Sequence, residues 1–164
     1  YTDADADFEI EQDESYTRMA SLVKRIDISP EAGYNDFRTT SAEFLQMPIR
    51  RMSKFTKRMM QSVNYAEAAQ RRQNNYNCLR QHLGGRQLDE GEVPMIFPYE
   101  SAEGQGLRKQ LIERKVFVAK YWPNVDEWAG DTALETWMAN HILPLPIDQR
   151  YGEEDMERIV QTIK

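Results

Sequence analysis

Residues 64–85, "NYAEAAQRRQNNYNCLRQHLGG", constrain the fold most strongly, because they describe a helix with both ends marked. Asn64 can cap the first turn, and Glu67 stands three residues later, as in a capping box. Gly84 and Gly85 follow the last turn, where a left-handed residue commonly ends a helix. The sequence therefore predicts a helix over 64–83, with one face carrying Tyr65, Ala69, Arg72, Tyr76, Leu79 and Leu83.

The residues after this helix alternate between short apolar runs and helical patterns. Pro94 and Pro98 in the first run favour an edge position or a strand end. Gly152 and the acidic residues after it indicate the start of a closing helix. The second half therefore predicts the order β-α-β-α-β-α, with strands or extended segments at 93–99, 116–122 and 142–147, helices at 102–115 and 131–142, and a closing helix with a stripe of Met156, Ile159, Val160 and Ile163.

The first half is helical in pattern. Apolar residues from Met19 to Ile26 recur on one helix face, and residues 34–63 predict helix on both sides of Pro48. The predicted fold class is α/β (α+β): a small, mostly antiparallel sheet covered by helices and preceded by long helices. We expect residues 1–32 to form an acidic arm and first helix, and residues 33–164 to form the main domain.

Charge is unevenly spread along the chain. Residues 1–15 hold seven acidic side chains and no basic one, whereas 45–86 hold nine Lys or Arg and one acidic residue. The net charge of -6 argues against a general affinity for nucleic acid, and no apolar run has the length of a membrane span. The basic segment 50–58, "RRMSKFTKR", is predicted to be a solvated helix face, a surface for the acidic arm, or a site for phosphate or an anionic surface.

No set of residues predicts a self-sufficient active site or a metal site. His82 and His141 lack a partner at metal spacing, Cys78 has no adjacent base, and the acidic start lacks the glycine and distal glutamate of a calcium loop. Lys120, before Tyr121 and Trp122, allows two interpretations. Aromatic neighbours could desolvate it for Schiff-base chemistry, or it is a strand-end lysine lying along a tryptophan, which the sequence favours.

Several segments in order resemble a known family. The series "GYNDFRTTSAEFLQMPIRRMS", "VPMIFPY", "RKVFVAKYWP" and "LPLPIDQRYGEEDMERIVQTI" is similar to the C-terminal part of the pyridoxal-phosphate sugar aminotransferases of the DegT/DnrJ/EryC1/StrS family, which have fold type I. The resemblance runs from about Gly33 to the end of the chain.

The resemblance implies the small domain of a homodimeric transferase of sugar biosynthesis, in which pyridoxal phosphate serves the full-length parent. Asn35 would donate to the cofactor phosphate of the neighbouring subunit, and Lys120, Tyr121 and Trp122 would face the nucleotide-sugar substrate or the amino donor. The large domain with the Schiff-base lysine would lie upstream, so this fragment is expected to bind no cofactor and to be inactive alone.

Two further expectations follow from the chain itself. A single cysteine and the lack of a secretory pattern favour a cytoplasmic protein, and a first residue other than methionine suggests a removed leader or a piece of a longer protein. The alternative to the aminotransferase interpretation is a stand-alone, non-catalytic α/β interaction module that binds a partner through a basic helix at 50–58.

Overall fold

The computed structural model describes residues 10–164, which form two units, one ending at Val63 and the other spanning Asn64–Lys164. The predicted boundary between residues 32 and 33 lies inside the first unit, where α1 and α2 pack together. The calcium interpretation of the acidic start falls on residues outside the described range. The described elements are a 3-10 turn at Tyr16–Arg18, α1 Ala20–Asp27, α2 Tyr34–Phe44, α3 Lys54–Gln61, α4 Tyr65–Leu83, β1 Ile96–Glu100, α5 Gly104–Glu113, α6 Val125–Trp128, α7 Leu134–His141, β2 Ile142–Pro146 and α8 Glu153–Ile163.

These elements confirm the mixed α/β class, with helices and a small antiparallel sheet. The predicted break around Pro48 is also present, because α2 ends at Phe44 and α3 begins only at Lys54. Among the described residues, no helix is long and apolar enough to cross a membrane.

The first unit is held together with little apolar burial. Ser15, Ser21, Gly33 and Ser53 are its only buried residues in the described range, so no apolar side chain there is buried. Gly33 lets α1 and α2 approach, since a Cβ at this position would lie 2.3 Å from the carbonyl oxygen of Ser21. The apolar face predicted for α1 is present in the sequence but remains largely exposed.

Helix α4 is confirmed, with Asn64 as its N-cap and Gly84 after its last turn, although the Asn64 amide rather than its backbone N–H donates to the Glu67 carboxylate. The Asn64 side-chain oxygen accepts a hydrogen bond from the Glu67 N–H at 3.2 Å, and Gly84 follows the helix with φ of 79°. Tyr76 and Leu79 of the predicted face are buried, and Asn75 is buried beside them. The helix therefore directs a mixed apolar and amide face into the second unit.

Strands β1 and β2 form a two-stranded antiparallel sheet. Pro98 lies opposite Pro144, and because proline has no N–H this pair is a non-hydrogen-bonded pair of the ladder. The Ser101 N–H donates to the His141 carbonyl at 2.9 Å, which continues the alternation beyond the strand ends. The full register pairs Ile96 with Pro146, Phe97 with Leu145, Pro98 with Pro144, Tyr99 with Leu143 and Glu100 with Ile142.

The strand predicted within residues 116–122 is wrong, because this segment joins no ladder. The backbone nitrogens of Pro144 and Pro146 lie on the side of β2 that faces away from β1. Because proline has no N–H, neither can donate a hydrogen bond to a third strand. Val116 and Val118 are nevertheless buried, so the segment contributes side chains to the core. The β-branched pattern thus predicted burial correctly, and the two prolines leave β2 without an N–H for a third strand at these positions.

Among residues 10–164, the buried apolar core lies in the second unit, between the sheet, α4, α5 and α8. Its buried apolar residues are Tyr76, Leu79, Phe97, Leu111, Val116, Val118, Leu143, Leu145, Ile147, Met156, Ile159 and Val160. The stripe predicted for the closing helix is confirmed at Met156, Ile159 and Val160. The Gly152 N–H donates to the Asp155 carboxylate at 2.9 Å, which fixes the first turn of α8.

The turn between β2 and α8 contains an ion pair that makes stability depend on pH. Burial alone would raise the pKa of Asp148, but hydrogen bonds from the Arg150 guanidinium and N–H outweigh it and hold that pKa below its usual range. A lowered folded-state pKa adds stability above the unfolded-state pKa, and this stability is lost as the pH falls through the folded-state value.

We expect Asp148→Asn to reduce the free energy of unfolding by about 0.5–1 kcal/mol at pH 7, because Arg150 is largely exposed and the pair is screened. The difference from wild type should begin to shrink below about pH 4, where the carboxyl of the unfolded state takes up a proton, and should disappear as the pH falls through the lower folded-state pKa. Urea unfolding of wild type and Asp148→Asn at several pH values measures this difference. The matched control is Asp131→Asn, a substitution at an exposed position of the same unit. A difference that stays constant down to pH 2 would contradict the assignment.

Candidate functional site

Lys120 lies in the irregular segment that follows the buried Val118. Its ammonium donates to the Asn140 side-chain oxygen at 2.9 Å and forms an ion pair with Asp126. The Lys120 side chain is only 17% exposed. The structure therefore gives Lys120 a carboxylate partner, and the interpretation as a strand-end lysine is wrong because no strand forms here.

The partners of Lys120 belong to a polar network that sequence reasoning missed. The Asn140 amide donates to Asp126 at 3.2 Å, and Gln105 donates to the Asn140 oxygen at 2.8 Å. The hydrogen bond from Lys120 is the main cause that holds the pKa of Asp126 below its usual range. The network connects the 116–122 segment with α5, α6 and α7. No sequence spacing signals it, because its members come from different elements.

The contact between α5 and α7 is close where the network lies. A Cβ on Gly104 would stand 2.3 Å from the Asn140 carbonyl oxygen and 2.9 Å from the His141 Cα. Only glycine allows the first turn of α5 to approach the end of α7 this closely. This approach places Gln105 and Asn140 within hydrogen-bond distance.

Exposed aromatic side chains stand on the elements that carry this network. Trp122 is exposed, has a positive φ of 48° and contacts Tyr121 edge-on at 5.7 Å. Trp128 at the end of α6 is 77% exposed. Trp137 of α7 stacks on His141 at 5.1 Å and is also exposed. All three tryptophans of the chain thus lie at the surface, within residues 122–137.

Asn35 is exposed in the first turn of α2, in the first unit. It borders an open groove of about 440 Å³, which is lined by Thr17, Arg18, Ala20, Asn35, Asp36, Thr39, Thr40 and Glu43. Two carboxylates and a single arginine, itself paired with Asp13, do not suit a phosphate held by this groove alone. The Asn35 amide is accessible at the surface of this unit.

The interaction-module alternative assumed that the basic segment 50–58 forms one helix, and this is wrong. Residues 50–53 lack helical structure, and α3 begins at Lys54 after Ser53, whose hydroxyl accepts from the Thr56 N–H at 3.0 Å. A parallel β-bridge joins Arg51 to Gln12 of the acidic arm. Among the uses predicted for the basic segment, the structure therefore shows contact with the acidic arm.

Two other side chains that could be reactive, Cys78 and His82, lie in α4. Burial raises the pKa of the Cys78 thiol, and the nearby Glu153 and Glu157 carboxylates raise it further, which keeps the thiol protonated at neutral pH. His82 lies in the last turn of α4, as predicted. Within the described residues, no three His, Cys, Asp or Glu side chains are grouped to hold a metal.

Comparison with known proteins returned no similarity: no family model matches the chain, and neither a curated protein nor a solved structure matches it significantly.

Proposed function

We propose that the chain is the C-terminal part of a pyridoxal-phosphate nucleotide-sugar aminotransferase-like protein and is not catalytic alone. The observation that carries this proposal, beside the sequence resemblance, is the first unit, which buries no apolar side chain in its described range. Leu45 and Ile49 are 84% and 87% exposed, and Phe37, Phe44, Phe55 and Met59 are exposed as well. Such a surface is typical of a segment that another protein body covers.

The second unit supports a role at the substrate mouth. Lys120, Tyr121 and Trp122 lie in one short segment, and Lys120 is held by Asp126 and Asn140 beside exposed aromatic rings. Polar groups beside flat apolar rings favour a ligand that has both hydroxyl groups and an apolar face, as a sugar does. In this proposal the segment contacts the nucleotide-sugar substrate of the parent enzyme.

The remaining parts of the proposal concern the cofactor and the assembly. Pyridoxal phosphate, when bound to the parent, acts as an electron sink for the transfer of an amino group. Asn35 would donate to its phosphate across a homodimer interface, which its exposure supports. The parent would be cytoplasmic, and its upstream large domain would be the partner that covers the apolar surface.

The test uses the longer protein that is encoded by the gene of this chain together with the coding region upstream of it. We expect the longer protein to bind pyridoxal phosphate and to transfer an amino group from glutamate to a keto-sugar nucleotide. Lys120→Ala should raise KM for the sugar nucleotide about tenfold, whereas Lys109→Ala, an exposed lysine of α5, should leave it unchanged. The isolated chain mixed with the cofactor should show no visible absorbance band of a covalent adduct.

Two results would overturn the proposal. One is an absorbance band of the isolated chain that disappears in Lys120→Ala. The other is an upstream region that encodes no aminotransferase-sized domain. A gene that starts near Tyr1 would favour the alternative, a stand-alone interaction module.

A further inference from the structure

Residues 11–15 lie along residues 50–53 in extended contact. The Asp13 N–H donates to the Arg51 carbonyl and the Arg51 N–H donates to the Glu11 carbonyl, both at 2.9 Å. The Gln12 side chain donates to the Met52 carbonyl. Residues 11–15 thus pair with the backbone donors and acceptors of residues 50–53, in the manner of β-strand addition.

The side chains at alternate arm positions meet charged or hydroxyl side chains of the basic segment, whereas Gln12 between them meets a backbone carbonyl. Glu11 and Asp13 lie 3.6 Å and 4.0 Å from the Arg50 guanidinium, and the Ser15 hydroxyl lies 2.6 Å from that of Ser53. Thr56 donates to Ser15 at 3.1 Å, so the arm ends on a cluster of three hydroxyls. The pattern acid-x-acid-x-Ser follows the period of two of an extended chain.

This contact has the properties of an exchangeable one. It consists of backbone hydrogen bonds, ion pairs and hydroxyl contacts, and it encloses no buried apolar side chain among the described residues. One oxygen of Asp13 is buried yet has no hydrogen-bond partner in the described range. This oxygen is the one that faces the Arg50 guanidinium at 4.0 Å, which is too far for a hydrogen bond, so the arm fits its site imperfectly.

We propose that residues 50–56 form a docking edge for an extended acidic peptide of the pattern acid-x-acid-x-Ser, and that residues 11–15 occupy it as an exchangeable internal ligand. A partner that carries this pattern would compete with the arm. Because the arm is tethered, its effective concentration is of the order of mM, and an external peptide gains access when the arm is weakened. The inference holds whether or not the chain belongs to an aminotransferase.

The experiment uses the full chain and a fluorescein-labelled peptide of residues 10–17, "IEQDESYT". In the double variant Glu11→Lys, Asp13→Lys the arm is repelled by Arg50 and loses its ion pair between Asp13 and Arg18, so its site becomes available. We expect the peptide to bind this variant at least tenfold more tightly than wild type, by fluorescence anisotropy. Affinity should fall several-fold between 50 and 200 mM salt, because exposed ion pairs are screened.

Controls separate the site from a general charge effect. Glu14→Lys reverses one charge on an arm residue between Asp13 and Ser15 and should leave peptide binding at the wild-type level. Adding Arg50→Gln to the double variant should abolish binding, because it removes the receptor cation without attracting the lysines of the altered arm. If the double variant does not fold by circular dichroism, the milder Glu11→Gln, Asp13→Asn variant takes its place.

The outcomes decide the proposal directly. Equal binding to wild type and variant, no binding to the folded variant, or equally tight binding of a peptide with neutral Gln and Asn at positions 11 and 13 would each overturn it. Binding that depends on Arg50 and on both acids supports it.

Discussion

Replacing Phe97 by alanine is expected to lower the free energy of unfolding of the second unit by about 3–4 kcal/mol. Phe97 is 1% exposed in β1, lies opposite Leu145 and contacts the Tyr76 ring at a centroid distance of 5.0 Å. Its removal leaves a cavity between the sheet and α4, because both are fixed by other contacts. Urea unfolding followed by far-UV circular dichroism measures the change. Tryptophan fluorescence is a poor reporter, since all three tryptophans are exposed.

Two matched variants check the cause of this loss. Phe97→Leu keeps most of the volume and should cost about 1–1.5 kcal/mol. Phe117→Ala removes the same ring from an exposed position of the same unit and should cost less than about 0.5 kcal/mol. Equal losses for Phe97→Ala and Phe117→Ala would show that the sheet and α4 do not form the core described.

Elements whose end signals are written in their own sequence were predicted correctly. Helix α4 has an amide cap, an acidic third residue and terminal glycines, and it forms over Tyr65–Leu83 as expected. The segment 116–122 carries an equally clear β-branched pattern but joins no sheet. Its outcome depends on Pro144 and Pro146, more than twenty residues away, which remove the outward donors of β2. A pattern within one segment does not contain that information.

Apolar periodicity predicted helices better than it predicted burial. On α7, Leu134, Trp137 and Met138 share one side of the sequence pattern but remain exposed, while Thr136 is the buried residue. On α5, Leu111 is buried as expected, whereas Ile112 is exposed. An apolar stripe indicates where a helix could pack, and tertiary structure decides whether a partner stands there.

The candidate site was located from sequence only in part. Lys120 stood out because aromatic residues follow it, but its partners Asp126 and Asn140 lie in α6 and α7. Their approach depends on the packing of Gly104 against Asn140, which is a contact between elements distant in sequence. Sequence spacing reports neighbours on one element, so it could not find this network.

Replacing Asn75 by alanine is the second large expected effect, a loss of about 2–3 kcal/mol in the free energy of unfolding. The buried Asn75 amide donates to the carbonyl oxygens of Ile147, Asp148 and Tyr151 at 3.1–3.3 Å. It therefore joins α4 to the turn that connects β2 with α8. Alanine removes this donor from three backbone acceptors, of which the Ile147 carbonyl is buried, and leaving a buried acceptor without a partner costs more than the hydrogen bond contributes in solution. Urea unfolding by far-UV circular dichroism gives the value.

The variant Asn75→Asp distinguishes lost donors from lost volume. It keeps the size of the side chain, but an ionised carboxylate only accepts and would face three carbonyl oxygens. We expect it to be at least as destabilising as Asn75→Ala at pH 7 and to recover partly as the pH falls and the carboxyl gains a proton. Asn74→Ala, the exposed neighbour on α4, should cost less than about 0.5 kcal/mol. If Asn75→Asp were as stable as wild type at pH 7, the amide donors would not be what holds the turn to α4.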